Sequence, residues 1–252
     1  MRFRLIMRFL AVFILFICSA GYAQKVEIIA EDDWFPYSGK FEDGPRGIAV
    51  DIVRAAFAAE NTTVEFKVMN YDRGMAMVKE GLAVGCFDAP RTREIEDAYL
   101  WPDGNLFAAD SFFYALSSYS GTIHSIADVA GKKIGLTQGY GYGDAIDLDT
   151  LMVKEYSKAD MIIIKKLLSG RLDFVILFDK IADYLIPKMG IQGKIKPVGK
   201  AAHVNLYVVF SKMHPEGKKW RDMFNRGLHK IKEDGTYQDI IDGWAIKLRN
   251  NY

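Results

Sequence analysis

Two arginines follow an apolar run in the first half of the chain. The stretch from Phe87 to Trp101 reads FDAPRTREIEDAYLW, and the run before it, LAVGCF, is typical of a buried strand. Pro90 breaks that strand, so one interpretation is a solvated turn whose charges need no particular partner. The other is that an arginine points into a cleft and grips a carboxylate, because its planar guanidinium matches both oxygens. The loop alone does not decide between them.

A glycine-rich turn and an aspartate at a strand end offer further groups that could bind charge. GYGYG at 139–143 fits neither the dinucleotide-binding nor the Walker pattern. Its backbone N–H groups could face an anion at the start of a helix, although a plain tight turn also explains the glycines. Asp179 follows LDFVILF, and aromatic residues occur in DDWFPYSG. Arginine and amides complement a carboxylate and an aspartate complements an ammonium, so such a pocket would fit a zwitterion.

Residue types that could carry out catalysis or hold a metal lack the spacing for it. The four histidines are scattered, and none is spaced from another histidine, a cysteine or an acid as metal ligands are. Cys86 has no base near it in the sequence and is expected to pack as a small apolar residue. We therefore predict a binding protein without enzymatic activity, metal or cofactor.

Strands and helices alternate from Gln24 onwards, as in an α/β protein. The strand-like runs KVEIIA, VEFKVM and LAVGCF are separated by the helical patterns GIAVDIVRAAFAAE and DRGMAMVKEG. In the first helix, Ile48, Ile52 and Ala56 recur at steps of four and form one apolar face. This order predicts a parallel sheet whose ligand crevice lies beyond the carboxyl ends of the strands, where DAPRTR occurs.

A second α/β unit follows the first. Its strands are KKIGLT and RLDFVILF, and SKADMIIIKKLLSG is a helix that Ser157 and Asp160 would cap. The extended segments SFFYALSSYS and HVNLYVVFSK bracket this unit and predict two crossings between lobes. Apolar stripes in two closing helices then indicate core packing and a return to the first lobe. We assign residues 24–113 and 208–252 to the first lobe and residues 114–207 to the second.

The first 23 residues have the three-part pattern of an export signal. Arginines precede an apolar core from Phe9 to Ile17, and small residues end at Ala23. The apolar core is too short to span a bilayer comfortably, so we expect cleavage after Ala23 and a periplasmic location. A retained membrane anchor is the alternative.

The expected mature chain is close to neutral and has one cysteine. Cleavage would remove three arginines and leave 229 residues with 30 basic and 32 acidic side chains, a net charge of −2. This balance predicts no nucleic-acid partner. Cys86 alone cannot form an intrachain disulfide, so the hydrophobic core must hold the fold together. We expect a monomer.

The motifs, in order, resemble the family 3 extracellular solute-binding proteins, the periplasmic receptors for polar amino acids that serve ABC importers. WFPY, GIAVDIVRAA, APRTRE, GKKIGLTQG, GRLDFVILFD and KEDGTYQDIIDGW carry the likeness over nearly all of the mature chain. The resemblance implies a two-lobed Venus-flytrap fold, with the first lobe built from both chain ends. It also implies a small zwitterionic or carboxylate-bearing ligand held between the lobes, and an importer permease as partner.

The resemblance also assigns roles by position. Arg93 corresponds to the arginine that pairs with the ligand carboxylate, which leaves Arg91 as a solvated neighbour. Trp34 is similar in placement to the aromatic residue that covers the ligand. Asp179 resembles the aspartate that receives the ammonium group.

Three departures from the family pattern weaken the expectation of a standard α-amino acid. Asp88 stands where the family has Ser or Thr, and Tyr140 with Gly141 replaces the usual Thr or Ser after the turn glycine. Asp179 lies one residue late, which in a strand could turn it to the other face. Asp88 cannot stay an unpaired charge in a closed cleft, so it would meet either Arg93 or a cationic group of the ligand. The predicted ligand-binding residues are Trp34, Tyr37, Tyr71, Asp88, Arg93, Gly139, Tyr140, Gly141, Tyr142 and Asp179.

Two other functions are compatible with the same fold. A few periplasmic dehydratases that act on a cyclic carboxylic acid resemble it, and Asp88 near Arg93 could be a general acid. The other is a receptor that reports solute to a membrane sensor. Nothing in the sequence separates that role from import, although no second membrane segment is present to tether such a sensor.

Overall fold

The computed structural model describes residues 24–250, so the predicted export signal lies outside the described residues. The strands are β1 (Gln24–Glu31), β2 (Asp33–Trp34), β3 (Ser38–Phe41), β4 (Gly44–Arg46), β5 (Thr62–Met69), β6 (Gly85–Pro90), β7 (Tyr99–Leu100), β8 (Phe107–Leu116), β9 (Lys133–Thr137), β10 (Val153–Ser157), β11 (Phe174–Phe178) and β12 (Ile195–Ser211). The helices are α1 (Ile48–Ala58), α2 (Tyr71–Lys79), α3 (Asp144–Asp147), α4 (Asp160–Leu168), α5 (Asp179–Lys188), α6 (Gly217–Glu233) and α7 (Thr236–Asn250). Short 3-10 turns occur at Glu96–Ala98 and Ile126–Val129.

One mixed sheet runs through the molecule in the order β10-β9-β11-β8-β12-β6-β1-β5, with β7 paired to β12. The pairs β1–β5, β1–β6, β9–β10 and β9–β11 are parallel, as the alternating pattern predicts. Strands β8 and β12 lie between these two groups of parallel strands. The pairs β8–β11, β8–β12 and β6–β12 are antiparallel. The two-lobed α/β fold is therefore confirmed, although the lobes share one continuous sheet.

Strands β8 and β12 connect the lobes. They pair antiparallel from Phe107–Leu206 to Leu116–Ile195, and one end of this ladder meets β6 while the other meets β11. Both strands begin earlier than the crossings SFFYALSSYS and HVNLYVVFSK suggest. We use "first lobe" for the part with β1, β5 and β6 and "second lobe" for the part with β9, β10 and β11. The exact lobe boundaries stay a prediction.

The closing helices return to the first lobe, as their apolar stripes predict. In α6 the residues Trp220, Phe224 and Leu228 are buried. The ring centroid of Phe224 lies 5.6 Å from that of Phe57 in α1. A Cβ at Gly227 would lie only 1.8 Å from the backbone oxygen of Ala56, so the two helices can approach this closely only at a glycine. Among residues 24–250, no helix is long and apolar enough to cross a membrane.

Two local predictions were wrong. Strand β6 continues through Pro90, because Ala89 and Pro90 pair with β12 and the chain turns only afterwards. Ser157 does not cap α4, whose N-cap is Ala159 without a side-chain hydrogen bond. Asp160 instead accepts a hydrogen bond of 2.6 Å from the Thr137 hydroxyl, because its side chain is turned into the second lobe.

Candidate ligand-binding site

A small cavity lies between the lobes at the carboxyl ends of β1 and β6, where the strand order places the ligand crevice. We call it the inner cavity. Its volume is about 10 Å³, close to the space of one water molecule. Its lining residues are Glu31, Trp34, Tyr71, Asp88 and Pro90 from the first lobe, Tyr140, Gly141 and Phe178 from the second, and Leu206 from β12. Five of the predicted ligand-binding residues are thus brought together here.

A bulge in strand β6 positions Asp88. The register of the β6–β12 ladder shifts here, so that Phe87 and Asp88 together face Val208. Asp88 takes a φ of 69°, a left-handed conformation that non-glycine residues adopt at a cost of roughly 1–3 kcal/mol. Bulges of this kind re-aim a side chain, and this one turns the Asp88 carboxyl into the cavity wall.

The Asp88 carboxyl has no partner within the described residues. The residue is 4 % exposed, and neither of its carboxyl oxygens accepts or donates a hydrogen bond. Burial raises the pKa of Asp88 well above its ordinary value, because a lone carboxylate is poorly solvated there. A buried polar group without a partner is rare in native proteins and calls for an explanation.

Glu31 is a second acid in the same cavity, and sequence reasoning missed it. It ends β1, is 3 % exposed, and accepts a hydrogen bond of 2.5 Å from the Tyr140 hydroxyl of the opposite lobe. Burial raises the pKa of Glu31 well above the usual range. The hydrogen bond from Tyr140 lowers this pKa, and the negative charge of the nearby Asp88 raises it further. No lysine, arginine or histidine in residues 24–250 forms an ion pair with Glu31 or Asp88.

Aromatic rings form the rest of the wall. The Tyr140 ring stands edge-on to both Trp34 and Tyr71, with centroids 5.9 Å apart in each pair. The ring centroids of Phe178 and Trp34 are 5.2 Å apart, and the two ring planes are perpendicular, at 90°. Ring faces attract cations, most strongly where water is excluded. The Tyr140 side chain of the second lobe thus fills an aromatic and acidic recess of the first.

Glycines of the 139–143 turn allow the lobes to meet. A Cβ on Gly141 would lie 2.5 Å from Pro90 Cγ, and one on Gly139 would lie 2.9 Å from Asp72 Cβ. Gly139 also has a φ of 81°. Only glycine permits this close approach, so these residues bring Tyr140 into the recess.

Comparison with known proteins identifies the family. The model of the bacterial extracellular solute-binding proteins, family 3, matches residues 26–247. The chain belongs to this family. An ancestral arginine-binding protein bound to arginine aligns with a TM-score of 0.74 and 22 % identity, over 88 % of this chain and 99 % of that one.

Two further solved structures have the same fold as this family 3 protein. The arginine-, lysine-, histidine-binding protein ArtJ of Geobacillus stearothermophilus gives a TM-score of 0.73 at 19 % identity, covering 88 % of this chain and 95 % of that chain. A histidine kinase sensor domain with similarity to periplasmic binding proteins gives a TM-score of 0.74 at 17 % identity, covering 88 % of this chain and 96 % of that chain. At these identities the likeness concerns the fold.

The structure does not bring Arg93 of this family 3 protein to the inner cavity. After Pro90 the chain turns outward, and the Arg93 side chain is 78 % exposed. Its backbone N–H and its Nε contact the carboxylate of Asp144 at 3.0 and 3.2 Å. Arg91 is also exposed and pairs with Glu96. The carboxylate-clamp role of Arg93 stays a prediction, and Arg93 is not the partner of Asp88 in this conformation.

The amides of the glycine-rich turn have a partner of their own. The Tyr142 N–H donates to both carboxylate oxygens of Asp147, at 3.0 and 3.1 Å. The Tyr142 hydroxyl accepts from the Thr137 backbone N–H, and its ring stacks on Phe178 inside the second lobe. Gly139 lies at the edge of the cleft without lining the inner cavity. Tyr142 therefore supports Phe178 and the turn, and does not face the cavity.

Asp179 and Tyr37 also lie outside the cavity lining. Phe178 occupies the cavity-facing position, and Asp179 begins α5 one residue later, where its carboxylate accepts from the Lys180 N–H. Tyr37 is buried between the rings of Trp34 and Phe107. Burial, followed by the Asp179 charge, raises the pKa of Tyr37 well above its ordinary value. Their roles as ligand-binding residues stay predictions.

Asp160 adds a third buried acid close to the site. Burial raises the pKa of Asp160 to about 7, although the hydrogen bond from Thr137 opposes the shift. Its charge in turn raises the pKa of Glu31. Within residues 24–250, no group of three or more His, Cys, Asp or Glu side chains could hold a metal ion.

Proposed function

We propose that this family 3 protein binds a small, amino-acid-like organic cation between its lobes and delivers it to an ABC importer. The observation that carries the proposal is the buried pair Glu31 and Asp88, which has no cation partner in the described chain. An ammonium or guanidinium group in the inner cavity would pair with both carboxylates and donate hydrogen bonds to the Asp88 oxygens, which have no other donor among the described residues.

The aromatic wall supports a cationic ligand. Trp34, Tyr71 and Phe178 surround the acids, and Tyr140 closes the recess from the opposite lobe. Such rings add cation–π attraction and keep water away from the ion pair. A neutral or anionic group would gain neither benefit and would leave the acids unpaired.

Tyr140 has to move for the ligand to enter. The inner cavity is too small for an amine while the Tyr140 hydroxyl occupies the Glu31 oxygen. Opening of the lobes would withdraw Tyr140, and the ligand's positive group would take its place beside Glu31. The ligand then contacts both lobes, which stabilises the closed state relative to the open one.

Several ligands of the similar structures carry positive charge. An ancestral arginine-binding protein holds arginine, and ArtJ is an arginine-, lysine-, histidine-binding protein, although an ancestral arginine-binding protein also holds glutamine, which has no cationic side chain. Those proteins are distant, so they support the ligand class and do not define it. The family supports an extracytoplasmic location, and we propose the periplasm, a cleavable export signal, a monomer and an importer permease as partner.

A receptor for a membrane sensor is the second candidate. The observation in its favour is the histidine kinase sensor domain, which covers 88 % of this chain with a TM-score of 0.74. The same inner cavity would then recognise the signal. Co-purification of a permease or of a kinase with the protein would distinguish the two roles.

A thermal-shift screen tests the ligand class. Amino acids and amines of positive, zero and negative net charge are added to the wild type, to Asp88→Asn and to Asp179→Asn. Asparagine tolerates the left-handed backbone at position 88, so the first variant removes the ionisable carboxyl without straining the backbone. We expect cationic solutes to raise the melting temperature of the wild type and of Asp179→Asn, and not that of Asp88→Asn. Stabilisation of the wild type by neutral or acidic solutes alone would contradict the proposal.

A further inference from the structure

A larger cavity of about 420 Å³ adjoins the inner cavity at the mouth of the cleft. We call it the outer cavity. It shares Tyr71, Pro90, Tyr140 and Gly141 with the inner cavity, so these residues lie between the two. The volume is in the range of pockets that hold small molecules. Withdrawal of Tyr140 would join both cavities into one elongated cleft.

The outer cavity carries more negative than positive charge. Asp72 and Glu94 are exposed side chains on its wall, and neither forms an ion pair with another described residue. Asp147 is half-buried there, and burial raises its pKa. Lys79 is the cationic residue of the wall. Because both carboxylate oxygens of Asp147 already accept from the Tyr142 N–H, Asp72 and Glu94 are the acids that remain for a ligand. Two such acids against one lysine make this cavity a second place for positive charge.

Apolar and aromatic surface lies between the two sets of acids. Tyr71 and Tyr140 line both cavities, and Met75 and Tyr99 line the outer one. The hydroxyl of Tyr99 is already bonded to the backbone oxygen of Met75, so the ring presents its apolar face and edge. This surface suits a methylene chain, because hydrocarbon gains from leaving water.

We propose that the ligand is an elongated dication, with one positive group at Glu31 and Asp88 and the second at Asp72 and Glu94. The inference rests on the proposed function, since it adds a second charged end to the same ligand. The unpartnered Asp88 carboxyl marks the inner end, and the acidic outer cavity marks the other. A compact amino acid would leave the outer acids in contact with water alone.

Calorimetric titration with linear α,ω-diamines and with monoamines of the same length tests the proposal. The variants are Asp88→Asn at the inner end and the pair Asp72→Asn with Glu94→Gln at the outer end. The matched control is Glu80→Gln with Asp97→Asn, which removes the same charge from exposed positions beside the same elements but off both cavities. We expect the best diamine to bind the wild type roughly tenfold more tightly than its monoamine.

The outer variant should remove that advantage and leave monoamine affinity unchanged, whereas the control variant should keep the advantage. If monoamines bind but diamines bind no more tightly, or if the outer variant keeps the advantage, the dication inference is wrong and the proposed function stands. If no amine or cationic amino acid binds at all, the proposed function fails as well.

Discussion

Asp88 and Arg93 lie five residues apart on one segment, and the structure places their charges in opposite environments. Asp88 is buried in a bulge of β6 with both carboxyl oxygens unpartnered, while Arg93 is exposed and paired with Asp144. Arginine is the residue type that usually signals ligand recognition in such a loop. Burial without a partner is therefore the more informative sign, because a buried carboxyl without a hydrogen-bond partner can be stabilised by a group that the ligand supplies.

Replacement of each residue in turn should give the largest effect. For a cationic ligand, Asp88→Asn should cost about 2–5 kcal/mol, which is roughly thirtyfold or more in affinity, because a buried charge pair is lost. Arg93→Gln should change affinity less than roughly fivefold, since its ion pair with Asp144 is exposed. Calorimetry on both variants measures this.

A ligand that retains an α-carboxylate provides the control. L-arginine and its decarboxylated form, agmatine, differ only in that group, so a strong preference for L-arginine that disappears in Arg93→Gln would restore the carboxylate clamp. In that case Arg93 would have to reach the cleft in another conformation than the one described.

Sequence reasoning succeeded where a periodic pattern extends over a whole element. The stripe of α1, the two strands that link the lobes and the closing helix α6 are all buried or paired as predicted. Each of these patterns repeats several times, so the sum of many apolar contacts determines the outcome. The inner cavity was partly predicted as well, through Trp34 and through the departure at Asp88.

Single positions at strand ends could not be predicted in the same way. Glu31 is the first of three consecutive acids, and only the pairing of β1 shows which of them is buried. At the end of β11, Phe178 lines the cavity and Asp179, the next residue, does not. Neighbouring side chains of a strand face opposite ways, so an error of one position in the sequence reading selects the wrong residue. Arg93 depends on how a short loop leaves β6, which no periodicity encodes. The acid at the end of an apolar run was the available signal for Glu31, as it was for Asp179.

Contact between the lobes can be weakened without changing any charge. Gly141→Ala places a methyl group 2.5 Å from Pro90 Cγ, so we expect the closed conformation to lose about 1–3 kcal/mol. Small-angle scattering should show a larger radius of gyration, with little change in melting temperature. Gly243→Ala is the control, because a Cβ there meets nothing within 4 Å. An equal radius for both variants would show that the 139–143 turn does not hold the lobes together.

Tyr140→Phe should have the smallest effect, and in the opposite direction. The variant removes the hydroxyl that bonds Glu31 across the cleft, a bond that contributes about 1 kcal/mol. Affinity for a cation should rise by roughly threefold to fivefold, because the ligand no longer competes with that hydroxyl. A fall in affinity measured by calorimetry would indicate that the hydroxyl itself binds the ligand.

Proton release on binding tests the central claim most directly. Burial raises the pKa of Glu31 and Asp88, so both carboxyls hold protons at pH values above their ordinary range. An entering cation favours the ionised forms, and protons must leave, so affinity should increase with pH up to the raised pKa values. Calorimetry at about pH 6 is run in two buffers of different ionisation enthalpy, and the difference between the two binding enthalpies gives the number of protons released. The account predicts net release on binding of a cation, and less release in Asp88→Asn. No release in the wild type, or net uptake, would contradict it.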